Sequence, residues 1–451
     1  MPAFIPTLLP LLLKGIAIAL LVLGAVSFAI LIQGSFVLRR LARDNPRDDA
    51  SALLKSSLTP QAGVLFTTTT GGLGARAFTR RLLGLHFGHH EVVVALNGVP
   101  EAEFEAWRSE FRLAPSQRQI AGALPMGKLR GIFESRDLFR LVVVDLERSE
   151  APLAWNAAAN ASEGAILAFF GEGCDFEADA LLRMVPPMLE DPKTVAVCGV
   201  APGVPGGGLL QQFAALDYLR SWLSRAAAFS GWNLLTPPPA SSILISRDAL
   251  IRAGGFRTSL TELFLQLHIA GHSSPSAYRV AFAPKAGLRI SGRSSRSAHR
   301  IAFVPNAGCR QRPPKSPGEF RRTVAFTQRE AARCALTRSA FPVWLRLGLV
   351  AVHFLWPALE LLAYALLAVG IVNHWVDWQL TTLVLLASVG LGTLLSMSAV
   401  ALRELAEFHG SDPSRLARLF FSAIPENLGF RQMRCLWLIA PWGAGAANQL
   451  D

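Results

Sequence analysis

The chain has 451 residues, 51% of them hydrophobic, and a formal charge of +12, with a mean hydropathy of +0.35. That is too apolar for an ordinary soluble enzyme and too polar in the middle for a pure membrane bundle, so a soluble domain carried on a few membrane helices is expected. The basic balance reads as membrane-surface charge, which holds positive loops inside and attracts anionic lipid, rather than as a nucleic-acid site, since no basic-aromatic module occurs.

Residues 11–38 read as a transmembrane helix, because Gly15 to Leu38 carries no charged residue and is long enough to span a bilayer. Arg39, Arg40, Arg43 and Arg47 follow it, against Lys14 before it. That asymmetry places the next domain in the cytoplasm and the N-terminus outside; a cleaved signal peptide would need a small-residue cleavage site where these arginines stand. Residues 39–60 form a polar linker. Gly63 to Thr69, Glu91 to Leu96, Leu141 to Asp145 and Ala165 to Phe170 are short apolar runs, alternating with helical segments such as Glu101 to Phe111 and Ala157 to Ser162. The alternation predicts an α/β domain over 61–336 with a mostly parallel sheet. Gly71-Gly72-x-Gly74 fits no phosphate-loop spacing and reads as a strand-to-helix turn.

The run Ala165 to Phe170 leaves its strand at Gly171-Glu172-Gly173, and a helix is expected near Phe176 with acids in its first turn. Ligands bind beyond the carboxyl ends of parallel strands, so Gly171 to Asp175 should meet them first. Further on, the spacing predicts a helix over Ala180 to Glu190, a strand over Thr194 to Val200, and a long amphipathic helix over Leu209 to Phe229 whose Tyr218 and Trp222 could form an interface. A strand over Ser242 to Ser246 and a helix over Ala249 to Gly254 follow. Ser291 to Arg300 is a basic, serine-rich insertion, and Tyr278-Arg-Val-Ala-Phe-Ala-Pro resembles His299-Arg-Ile-Ala-Phe-Val-Pro as a local duplication. Two more spans are expected at 345–376 and 380–402. His353 and Glu360, seven residues apart, are expected on one face of the first as a pair beside Pro357. Residues 411–451, basic and apolar in alternation, read as an interfacial amphipathic segment. The five cysteines, Cys174, Cys198, Cys309, Cys334 and Cys435, are scattered, which predicts reduced thiols and neither a zinc site nor a disulfide framework.

This order resembles the membrane-anchored family-2 glycosyltransferases with a GT-A domain. The likeness is carried by Ala154-Trp-Asn-Ala-Ala-Ala-Asn-Ala-Ser-Glu-Gly, Glu177-Ala-Asp-Ala-Leu, Glu190-Asp-Pro-Lys-Thr-Val-Ala-Val, Ser242-Ile-Leu-Ile-Ser-Arg-Asp-Ala-Leu-Ile-Arg-Ala-Gly-Gly-Phe, Leu395 to Phe408 and Glu426-Asn-Leu-Gly-Phe-Arg-Gln. The resemblance implies a cytoplasmic sugar-nucleotide domain with one N-terminal and two C-terminal spans in the inner membrane. It also implies a nucleotide-sugar pocket, and there the side chains differ. The family's metal-binding Asp-x-Asp falls on Gly171, Glu172 and Gly173, and glycine offers no oxygen ligand. Its nucleotide-binding Asp falls on Asn97, and its Lys near Ala151. Its Glu-Asp base pair falls on Ser259-Leu260, or on Thr261-Glu262 with Leu263 in the Asp place. Its Gln-x-x-Arg-Trp becomes Gln328-Arg329-Glu330-Ala331-Ala332.

Transfer from a nucleotide sugar needs a cation on the diphosphate and a carboxylate base on the acceptor. The resemblance therefore implies a pseudo-glycosyltransferase with no cofactor, bound to membrane lipid and to an active enzyme or complex of polysaccharide or glycolipid synthesis. The alternative is an active enzyme of unusual chemistry, with Mg or Mn held by Glu172 and Asp175, Glu262 as base, and Arg329 pairing with phosphate. For Glu172 and Asp175 the simpler reading is charge complementarity at a helix N-terminus. A nucleic-acid or lipid-headgroup binder working through Ser291 to Arg300 is the third reading, for which a solvated loop is the plainer account.

Overall fold

The computed structural model describes residues 5–43, 59–120, 122–171, 174–191, 193–201, 208–220, 224–231, 242–273, 300–305, 309–310, 314, 316–336, 343–407 and 413–439. The chain divides into two units, one holding the strands and the other the long apolar helices.

In the first unit the described strands are β1 Ala62–Thr68, β2 His90–Asn97, β3 Leu113–Pro115, β4 Leu129–Ser135, β5 Leu141–Leu146, β6 Ile166–Phe169, β7 Thr194–Ala201, β8 Ser242–Ser246, β9 Arg300–Pro305 and β10 Cys309–Arg310. They form one sheet in the order β10-β7-β8-β6-β1-β2-β5-β4-β3, with β9 also on β7. The centre, β6-β1-β2-β5, is parallel. Its strands are continuous apolar runs because both faces are covered: Val92, Val93, Val94, Ala95 and Leu96 are all fully buried. Trp107, Phe66 and Phe170 fill the core against them, each contributing about 2–3 kcal/mol by burial. From β1 the chain steps outward to β2 and β5, then returns to β6 on the other side of β1. That reversal opens a crevice at the carboxyl ends of β1 and β6.

Two asparagines lock the frame. Asn156 donates to Phe256 O (2.9 Å) and accepts from Phe256 N (2.8 Å), clamping the Gly254-Gly255 turn, where both φ angles are positive. Asn160 does the same for Leu124, accepting from its N–H and donating to its carbonyl. Both asparagines are buried on the helix Ala151–Ala161, which starts six residues earlier than Ala157. The family-like segments around them are thus explained by packing, because each bond closes a loop onto a buried helix.

Several local expectations are corrected. The helix after β6 begins at Ala180, and Pro186 divides it into Ala180–Met184 and Pro186–Glu190, since proline removes a backbone donor. Leu209 to Phe229 is two helices, Leu209–Tyr218 and Ser224–Gly231; Tyr218 is half-buried, and Trp222 lies outside the described residues. Strands β3 and β4 had no strong sequence signal, β3 being three residues long and β4 half-exposed at the antiparallel edge. The copy at His299 supplies β9, while the copy at Tyr278 and residues 291–299 lie outside the described residues. Cys198, Cys334 and Cys435 are free and buried, but Cys174 is disulfide-bonded, against the expectation of thiols throughout.

Among the described residues the second unit contains three helices long and apolar enough to cross a membrane, Leu8–Val37, Arg346–Val372 and Trp378–Leu402. Small residues let them approach closely. A Cβ on Gly24 would strike Leu391, and one on Gly370 would strike Val376 and meet Leu9 at 3.0 Å. The second and third helices form a hairpin. His374 takes a positive φ of 54° after the first, and Asp377 caps the next by accepting from Leu380 N at 2.8 Å.

The expected His353–Glu360 pair does not form. A π-helical turn at Ala351–Leu355 interrupts the α-helical phase between them. Glu360, fully buried, is paired instead with Arg431 at 3.0 Å and accepts from Tyr364 at 3.2 Å. The C-terminal segment has an apolar exposed side and a charged buried one. It forms helices Pro413–Pro425 and Arg431–Ile439. Arg431 and Arg434 turn inward to Glu360 and Asp217, while Phe421, Leu428 and Leu436 are exposed.

Candidate functional site

The carboxyl ends of β6, β1, β2 and β5 lie side by side along one end of the sheet. At the end of β1, Gly71 has φ +62° and its carbonyl accepts from Trp107 Nε1 at 2.6 Å. Gly72 opens the helix Leu73–Leu83. The glycine run is therefore a strand-to-helix turn anchored by an indole.

Among the candidate residues of this unit, Asn97, Gly171, Asp175 and Glu262 are described and can be placed. Asn97 ends β2 and is buried. Its Nδ2 donates to Ser149 O (2.9 Å), and its Oδ1 accepts from Ser149 N (2.8 Å) and Ser149 Oγ (3.1 Å). The amide staples the loop after β5 to β2. Asp175 is ion-paired with Arg81 at 2.7 Å, and Arg81 also lies over the Phe176 ring at 4.7 Å. Gly171 has nothing within 4 Å of a would-be Cβ, so the strand end is open but offers no ligand atom. Glu172 and Gly173 lie outside the described residues.

Glu262 lies in the first turn of the helix Leu260–Ser273. Its N–H donates to Ser259 Oγ at 3.2 Å, and its carboxylate accepts from Thr258 Oγ1. Ser259-Leu-Thr-Glu262 is a capping sequence, a signal present in the chain and not used in reading it. No hydrogen bond or ion pair joins Glu262 to Asn97, Gly171 or Asp175 among the described residues. Gln328 and Arg329 belong to the helical unit. Gln328 is buried on the helix Pro317–Leu336, with no partner for its Oε1 among the described residues; Arg329 is exposed.

Sequence reasoning missed Asp145. It is the lone acid in the apolar run of β5, in register with Leu96, 7% exposed at its side chain and 3.7 Å from Arg130. Burial raises its pKa to about 6, with Glu101 adding and Arg130 opposing. The native state therefore binds more protons than the unfolded chain between the ordinary value of 3.8 and about 6. Stability falls as pH rises through that window and stays lower above it. Asp145→Asn, which cannot ionise, should raise stability by about 2 kcal/mol near pH 8 and change it little near pH 4. Thermal midpoints of both proteins at the two pH values check this, and equal midpoints at pH 8 would show a solvated carboxylate.

A divalent cation on a diphosphate wants several carboxylate oxygens. Among the described residues no group of three or more His, Cys, Asp or Glu is placed to hold one. Gly171 brings no oxygen, and Asp175 lies in an exposed ion pair with Arg81. The described donor set does not fit such a metal.

A central parallel sheet with an antiparallel extension, and a crevice at its reversal, is the GT-A fold of glycosyltransferases, here in a chain with three candidate membrane spans. The likeness that carries this is to the mannosyltransferase PcManGT from Pyrobaculum calidifontis, solved in complex with GDP-Man and Mn2+. It is 16% identical, covers 93% of this chain and 99% of that one, and has a TM-score of 0.50. Also similar are S. aureus TarS 1-349 (13% identity, 83% and 92% coverage, TM-score 0.37) and glucosyl-3-phosphoglycerate synthase from Mycobacterium tuberculosis (14%, 63% and 84%, 0.34). No protein-family model and no curated protein sequence matches the chain.

Proposed function

We propose that this chain is a membrane pseudo-glycosyltransferase, keeping the GT-A frame and its anchors without metal-dependent sugar transfer. It acts as a partner or regulator of an active polysaccharide- or glycolipid-making enzyme in the same membrane. Its GT-A domain faces the cytoplasm and its N-terminus the outside, following the arginines after the first span. The observation that carries the reading is the occupation of the crevice residues. Asn97 is spent on Ser149, Asp175 on Arg81, and Glu262 on a helix cap, while Gly171 has no side chain.

Calorimetry of the detergent-purified full chain with GDP-mannose and UDP-sugars, with and without manganese, tests it. The expected result is no metal-dependent heat; metal-dependent binding in the micromolar range would overturn the reading and favour the active alternative. The partner half is tested by purification from the native membrane with identification of what accompanies the protein. Recovery of a glycosyltransferase with an intact Asp-x-Asp supports it, and recovery of the chain alone counts against it.

A further inference from the structure

The two C-terminal helices, Pro413–Pro425 and Arg431–Ile439, keep their charges inside. Arg431 is ion-paired with Glu360 of the second span at 3.0 Å, Arg434 with Asp217 at 2.9 Å, and Glu426 with Arg220 at 3.2 Å. From Phe420 to Trp437 every exposed residue is apolar, and Phe421, Leu428 and Leu436 are each more than half exposed. The last exposed charge before that stretch is Arg418. A helix resting on a membrane surface turns its charges to water and headgroups. This segment does the reverse.

Depth decides what covers the apolar face. The spans Arg346–Val372 and Trp378–Leu402 form a hairpin whose turn marks one edge of the bilayer. Glu360 lies twelve residues from Val372, about 18 Å along the axis, and so past the midplane of a hydrocarbon layer about 30 Å thick. Ser396, eighteen residues from Trp378, is about 27 Å along, close to the far boundary. Glu426 accepts from Ser396 Oγ at 3.1 Å, and Cys435 Sγ is 4.0 Å from Glu360 Oε2. Between Glu426 and Cys435 the chain therefore climbs about 9 Å from that boundary toward the midplane. Leu436, beside Cys435, shares the depth of Glu360.

The backbone suits a place without water. Helical geometry breaks at Leu428 and Gly429. The carbonyls before the break are taken up by side chains: Asn427 O accepts from Gln432 Nε2 at 3.0 Å, and Ala423 O from Asn427 Nδ2 at 2.8 Å. In hydrocarbon, irregular backbone persists only where such partners replace the lost ones.

We propose that residues 420–437 form a wedge sunk into the leaflet opposite the hairpin turn, with Phe421, Leu428 and Leu436 against lipid acyl chains. The wedge rests on the hairpin crossing the bilayer and is independent of whether the chain transfers sugar.

The test is nitroxide depth measurement on the full chain, reconstituted in phosphatidylcholine and phosphatidylglycerol, with oxygen and a water-soluble nickel chelate as relaxing agents. Leu428→Cys and Leu436→Cys carry the label at exposed positions that need no repacking. The wild type, whose free thiols Cys198, Cys334 and Cys435 are buried, is the blank. Both labels should be relaxed by oxygen and shielded from nickel, with Leu436 about 9 Å deeper than Leu428. Three results would overturn the proposal. Equal shallow depths would mean a helix lying among headgroups, relaxation by nickel would mean a face in water, and shielding from both agents would mean a face covered by protein.

Discussion

Replacing Arg431 with methionine should destabilise the helical unit by about 3–5 kcal/mol, the cost of leaving a buried carboxylate without its counter-charge. Glu360 is fully buried in the second span. Arg431 reaches it with Nε at 3.1 Å and Nη2 at 3.0 Å, bonds Asn427 at 3.0 Å, and lies 5.3 Å over the Trp356 ring. Gly392 makes room for this, since a Cβ there would strike both Arg431 and Asn427. The neighbouring Arg220 pairs with Glu426 (3.2 Å) and Asp217 (3.3 Å). Burial lowers its pKa, but those two carboxylates outweigh burial and the net shift is upward. The double variant Glu360→Leu/Arg431→Met, having no orphan charge, should recover most of the loss. Thermal unfolding in detergent measures both, and the buried thiol of Cys435, 4.0 Å from Glu360, reports local opening by alkylation. A single variant costing under about 1 kcal/mol would show that water reaches the pair.

Placing carboxylates at the end of β6 should produce metal binding without producing turnover. Gly171→Asp enters open space and should cost no more than about 0.5 kcal/mol. Leu260→Asp places an acid at the start of a helix, where the dipole favours it. With Gly173→Asp added, the strand end regains the oxygen ligands that manganese prefers. On the proposed reading turnover should not accompany it, because Asn97 remains an amide bonded to Ser149 and Glu262 remains in its cap. Manganese titration followed by a UDP-sugar hydrolysis assay measures both outcomes. Hydrolysis above background would show that the side-chain occupations described here do not prevent chemistry.

Much of the architecture was legible because its causes are local. Buried parallel strands are continuous apolar runs, so Glu91 to Leu96 and Leu141 to Asp145 announced themselves, as did the three apolar spans. Breaks in local pattern were harder. Pro186 splitting a helix was visible and went unused, and a π-turn that shifts the phase between His353 and Glu360 leaves no periodic trace. Strand β3 is too short to carry a period.

The sequence by itself determined which atoms the strand ends could offer: an amide at Asn97 and no side chain at Gly171. Those are matters of identity, and no folding alters them. Only the tertiary structure decided what the remaining polar groups do. Asn97 found Ser149 across 52 residues, Asp175 found Arg81 across 94, and Glu360 found Arg431 across 71. The reason is range. Apolar periodicity is written in neighbouring residues, whereas a buried polar group must be matched by whatever the fold brings within about 3 Å of it.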